Sequence, residues 1–166
     1  MLTLKQLLLA TKNHRTKINA TAAFLLRKTA PLPFANALAF QGRFAALTDK
    51  KRAYYDTTII FHGVNYSQNK SMTFMLKADL LPGQAIYAER PSLNNTLAQV
   101  TCTCLDYYYT WWFYNDQQGS LAGEKFPAYT RKTTHYPERN PEHTAGLCKH
   151  LSRMTAELAN KGFLTR

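Results

Sequence analysis

Hydrophobic positions change period several times along the chain, and each change marks an element. Residues 3–10, Thr-Leu-Lys-Gln-Leu-Leu-Leu-Ala, read as a short helix with Thr3 as its cap. Ile18, Ala22, Leu25 and Leu26 share one helical face and predict a second helix over 17–28, stopped by Pro31 and Pro33. Residues 34–48 are apolar without a clean period and read as irregular. From Tyr54 to Phe61 the chain turns β-branched and aromatic, which predicts a strand ended by His62-Gly63. Asn65 to Lys70 reads as a polar connection. Met72 to Leu80 predicts a second strand, closed by Pro82-Gly83, and Ala85 to Ala88 a third.

Gln99 to Cys104 alternates again, with Val100, Cys102 and Cys104 on one face. Asp106 is placed to cap a helix from Tyr107 to about Asp116. Residues 119–146 contain Gly119, Gly123, Pro127, Pro137, Pro141 and Gly146, the composition of a long loop. Loops of that length are usually functional or tied down. A last helix is expected from Leu147 to Lys161, with Gly162 at its C-terminal cap.

These elements predict an α+β fold, a small antiparallel sheet with N-terminal helices and a C-terminal helix. With 166 residues there is material for one real core. The expected division is an N-terminal helical, basic arm over 1–50 and an α+β domain over 51–166, forming one compact unit. A hydrophobic share of 45% and a charged share of 19% lie well outside the disordered class. No apolar run approaches the roughly 20 residues that span a bilayer. Lys12, Arg15 and Lys17 follow the first leucine cluster instead of preceding it, the wrong order for a secretory signal.

Charge adds a partner. The net charge is +11, and residues 1–60 supply +8 of it, with ten Lys/Arg against Asp49 and Asp56. Such a chain suits an acidic partner: nucleic acid, an acidic protein surface or a membrane surface. Lys50-Lys51-Arg52 is the densest run, and Arg27-Lys28 and Arg131-Lys132 are smaller. A run of three is most often a solvated turn. Neither a helix-turn-helix pattern nor a Gly-rich phosphate loop is present.

The chemistry lies in two short pairs, Cys102-Thr103-Cys104 and Cys148-Lys149-His150, separated by 43 residues and using every cysteine in the chain. An odd cysteine count argues against a disulfide framework, and a Cys102–Cys104 bridge would close a strained ring. Three thiolates and an imidazole complete a tetrahedral zinc set, and a Cys3His site with no open position is structural. His143 or His135 could replace His150 as fourth ligand, whereas His14 and His62 read as ordinary histidines. Geometry constrains both pairs. Residues i and i+2 of a strand stand about 6.7 Å apart, but two sulfurs on one zinc approach to roughly 3.8 Å. The strand should therefore end or bulge at Thr103. In a helix, i and i+2 lie about 200° apart, so the CxH pair should span the loop-to-helix junction at Gly146-Leu147.

CxC followed by CxH resembles the signature of SWIM-type zinc modules. The run Val100-Thr-Cys-Thr-Cys-Leu-Asp-Tyr-Tyr-Tyr-Thr-Trp-Trp-Phe-Tyr-Asn115, with Asn140-Pro-Glu-His-Thr-Ala-Gly-Leu-Cys-Lys-His-Leu151, is similar to a group of tailed-bacteriophage structural proteins. The likeness covers roughly residues 60–160, and residues 1–50 add nothing to it. Leu105 stands where that group usually has proline. The resemblance implies zinc on Cys102, Cys104, Cys148 and His150 and a protein of the virion, assembled in the host cytoplasm. It also implies other virion proteins, in a symmetric multi-copy assembly, as partners. SWIM modules bind DNA or proteins, so a nucleic-acid-binding module is the alternative.

Tyr107 to Tyr114 holds seven aromatics in eight positions. Tyr107, Trp111 and Tyr114 form one stripe of a helix, Tyr108 and Trp112 another. Tyr107 and Trp111 are expected inward. The Tyr108/Trp112 stripe either lies under the 119–146 loop or faces a partner. The expected partner-binding residues are thus Trp112, Tyr108, Lys50, Lys51 and Arg52. A closed metal set consumes every cysteine, and nothing orders His135, His143, Glu138 and Glu142 into acid and base roles. The expectation is a non-enzymatic protein with no small-molecule substrate and no membrane partner.

Overall fold

Alternation of apolar and polar residues builds most of the molecule. In the computed structural model, which describes residues 1–14, 23–47, 52–81, 84–130 and 138–166, the strands form two antiparallel sheets and the fold is α+β. The larger sheet contains β1 (Leu2–Thr3), β2 (Ala23–Leu32), β3 (Ala37–Leu47), β4 (Arg52–His62) and β8 (Leu97–Cys102), in the order β1-β8-β4-β3-β2. The smaller contains β5 (Tyr66–Ser67), β6 (Phe74–Leu81) and β7 (Gln84–Glu89), in the order β5-β7-β6. The helices are α1 (Leu4–His14), α2 (Leu105–Thr110), α3 (Trp112–Gln117) and α4 (Lys149–Asn160). No helix among the described residues is long and apolar enough to cross a membrane.

Register assembles the core in rows across the larger sheet. Leu38 pairs with Phe61, which pairs with Ala98; Phe40 pairs with Ile59, which pairs with Val100. All six are buried. Helix α4 packs on β4 and β8 and buries Leu151, Met154 and Leu158 against these rows. Each such side chain contributes about 1.5–3 kcal/mol of burial. A third row, Gly42, Thr57 and Cys102, leads to the cluster of Cys102, Cys104, Cys148 and His150.

Two segments depart from the sequence expectation. Residues 23–28 belong to strand β2, not to a helix, and the part of the expected helix over 17–22 lies outside the described residues. Leu26 sits on the helical face with Leu25 and also on a period-2 row with Phe24, and antiparallel pairing of Phe24 and Leu26 opposite Phe44 and Gly42 settles between them. Residues 34–48 are not irregular either. After a 3-10 turn at Pro33–Ala35, β3 is an inner strand of the sheet. Its apolar row, Leu38, Phe40 and Phe44, is interrupted at Gly42 and blurred by buried Ala37 and Ala39. Glycine is required there because a Cβ at Gly42 would lie 2.3 Å from the Phe24 ring. So residues 23–47 are not the helical part of an arm. Their strands share the sheet with β4 and β8.

The other elements match their signals closely. Thr3 caps α1 in a reciprocal box: Thr3 N donates to Gln6 Oε1 at 2.8 Å and Gln6 N to Thr3 Oγ1 at 3.3 Å. β4, β6 and β7 lie where β-branched and aromatic runs predicted them. β5 adds a two-residue strand inside the expected polar connection. Helix α4 closes at Gly162, where Gly162 N donates to Ala159 O and Phe163 N to Leu158 O.

Candidate metal centre

Three chain segments converge at one end of the larger sheet. Cys102 is the last residue of β8, Cys104 the N-cap of α2, and Cys148 the N-cap of α4, with His150 in that helix's first turn. Their ligand atoms all lie within 4.8 Å of one another, and Cys102 Sγ stands 3.8 Å from His150 Nδ1. All four residues are buried, none more than 3% exposed. The donor set could hold a metal ion.

Both geometric expectations are met. The strand stops at Cys102, and Thr103 turns outward while holding β4: Thr103 N donates to Asp56 O, and Asp56 N to Thr103 Oγ1, each at 3.0 Å. The bend lets Cys104 swing back beside Cys102. It also makes Cys104, not Asp106, the cap of α2, because Cys104 Sγ accepts from Tyr107 N at 3.3 Å. Asp106 sits in the first turn, where its charge suits the helix dipole. The CxH pair spans the junction between loop and α4.

Of the alternative ligands, His143 is exposed, pairs with Glu138 at 3.1 Å and stacks on Tyr114. It is outside the cluster. His135 lies outside the described residues, and His62 contacts Gln99 Oε1 at 3.0 Å.

The surrounding shell holds the ligands in place, and little of it was foreseen. The His150 ring stacks on Tyr55 at 4.6 Å and tilts against Phe44 at 5.1 Å. Asn115 is fully buried and grips Gly146 from both sides, donating to its carbonyl and accepting from its amide. Thr11 Oγ1 of α1 accepts from Leu147 N at 2.7 Å. Gly146 lies flat on Trp111, whose ring would stand 2.5 Å from a Cβ at that position. Asn140 ties the loop to α2 through Thr110 O and to itself through Thr144. Buried asparagines near loop ends were the available signal.

The three thiols act on one another's protonation. Hydrogen bonds from Cys102 first, then Cys148, together with His150 and the Tyr107 amide, stabilise the Cys104 thiolate. The hydrogen bond to Cys104 pushes Cys102 up, and burial pushes Cys148 up. A bound dication would favour the thiolate form of all three cysteines.

Tyr107 and Trp111 point inward, both fully buried, and Tyr107 Oη donates to Val100 O at 2.7 Å. A break at Trp111 separates α2 from α3. Trp112 is half-buried, with Nε1 donating to Glu124 O at 3.2 Å and its ring 5.0 Å from Phe126. Tyr108 touches Trp112 and Phe126, and Tyr109 touches Tyr129. Leu105, Tyr108, Tyr109, Phe126 and Tyr129 are exposed. The loop therefore partly covers the second stripe and extends it into an aromatic surface. Lys50 and Lys51, like Arg131 and Lys132, lie outside the described residues, and Arg52 opens β4.

No protein-family model, no curated protein and no solved structure matches the chain.

Proposed function

We propose that the chain is a zinc-stabilised structural protein without catalytic activity, which docks onto neighbouring proteins in a tailed-phage particle. The observation that carries this reading is the closure of the Cys3His cluster. Three sulfurs and an imidazole are the donor set that zinc prefers, and they fill a tetrahedron. With every ligand buried, no coordination position is left for water or substrate. The site joins β8, α2 and α4, so zinc there acts by holding the fold together.

The docking surface is the aromatic face of α2 and the following loop, Leu105, Tyr108, Tyr109, Trp112, Phe126 and Tyr129. Exposed aromatic clusters of this kind are typical of interface cores. The setting rests on the likeness of the two cysteine motifs to tailed-phage structural proteins, and a tail, baseplate or head–tail position fits it. Quantitative mass spectrometry of purified particles is the direct test. A fixed ratio to known tail or capsid proteins is expected, and absence from particles overturns the setting. Tyr108→Ala with Tyr109→Ala is expected to keep zinc and fold while losing incorporation.

A further inference from the structure

The larger sheet has a second face, turned away from α4 and the cysteines. On it a register shift between Leu26 and Lys28 places Arg27 and Lys28 together beside Gln41. Gln41 pairs with Thr58, and Arg43 with Asp56. A groove of about 540 Å³ lies here, lined by Arg27, Lys28, Gln41, Gly42, Asp56, Thr57 and Thr58. Next to it stands Tyr54, half exposed, with the Arg43 guanidinium 5.6 Å from its ring centre.

The geometry points to this face as a binding site for single-stranded nucleic acid. The ledger of charge is the first reason. Asp56 is already paired with Arg43 through two hydrogen bonds, at 2.7 and 2.9 Å. Arg27 also feels the Asp56 charge, but three cations, Arg27, Lys28 and Arg43, face this one carboxylate, so the groove stays net positive. The shape is the second. The groove is about half open to solvent and its cations are exposed, which suits a backbone passing along it better than a small anion held in a closed pocket. The third is Tyr54, an exposed ring beside the cations. Single strands are bound by cations that follow the phosphates together with aromatic faces on which bases stack, and an adjacent arginine strengthens that stack. Gln41 and Thr58 supply neutral hydrogen-bonding groups between the two. The site lies across the sheet from the metal cluster, and none of its residues belongs to that cluster.

The test uses the full-length, zinc-loaded chain and a fluorescein-labelled 20-mer of oligo-dT, followed by anisotropy between 50 and 300 mM salt. Wild type is expected to bind with affinity falling steeply in salt. Arg27→Glu with Lys28→Glu should weaken binding more than tenfold and flatten the slope of log K against log salt by about 1.4, the value for two phosphate contacts on a single strand. Tyr54→Ala should weaken binding about tenfold at unchanged slope, and Tyr54→Phe should restore it. Circular dichroism and zinc content confirm that each variant is folded. No binding at 50 mM salt, equal binding by the double variant, or equal affinity for a duplex of the same length would each overturn the proposal.

Discussion

Asn115 and Gly146 exchange hydrogen bonds in both directions across 31 positions of sequence, at 2.9 Å from the side-chain amide to the carbonyl and 3.1 Å from the backbone amide to Asn115 Oδ1. The same Nδ2 also donates to Tyr107 Oη at 3.0 Å. One side chain thereby fixes the approach to Cys148 relative to the helix that follows Cys104. Replacement by alanine strands two buried backbone groups, each costing about 1–3 kcal/mol. Asn115→Ala is expected to lower stability by about 3 kcal/mol in urea denaturation of the zinc-loaded protein.

Gly146 is constrained by space. A methyl group there meets Trp111 at 2.5 Å and Thr11 Oγ1 at 2.9 Å. Both neighbours are buried, so neither yields easily. Gly146→Ala should cost about 1–3 kcal/mol, the usual range for overpacking. The same urea titration reads it, and an unchanged midpoint would show that the loop relaxes around the methyl.

Metal content follows from the donor set. One zinc per chain is expected by elemental analysis after extensive dialysis. Cys148→Ser leaves three ligands and should lose the metal. Structural zinc sites hold about 10–16 kcal/mol of apparent binding energy, comparable to the whole stability of a domain. The variant and the chelated wild type should therefore melt at least about 10 °C below the zinc-loaded protein, with α4 loosened. Full thermal stability with metal retained would contradict the assignment of Cys148.

Acid should reveal the Arg43–Asp56 pair. The hydrogen bond from Arg43, then its charge, holds the Asp56 carboxyl below its ordinary range. A carboxyl depressed in the folded state stabilises fully above its unfolded value, near pH 4, and that contribution disappears as pH falls through the lower folded value. Wild type should lose stability more steeply than Asp56→Asn below about pH 4, and the two should run parallel above about pH 5. The pair is largely exposed, so the difference is expected to be small. Urea midpoints measured from pH 2.5 to 6 check it.

The ligand set was legible in the sequence because it depends on residue type and short spacing. Three cysteines and one histidine in two i, i+2 pairs leave few ways to surround an ion. The incompatibility of that spacing with a regular strand or helix then dictates a strand end or bulge at Thr103 and a loop-to-helix junction at the CxH pair. Strong local patterns also identified β4, β6, β7 and α4, and the burial of Tyr107 and Trp111. Tertiary structure alone decided β2 and β3. Leu26 satisfies both periods, and the row of β3 is broken by Gly42, so only the pairing of β2 with β3 and of β3 with β4 makes either segment extended. The same holds for Thr11, Asn115 and Tyr55 around the cluster. Their roles arise from partners 136, 31 and 95 residues away, and a hydrogen bond or ring stack over such separations has no trace in local composition.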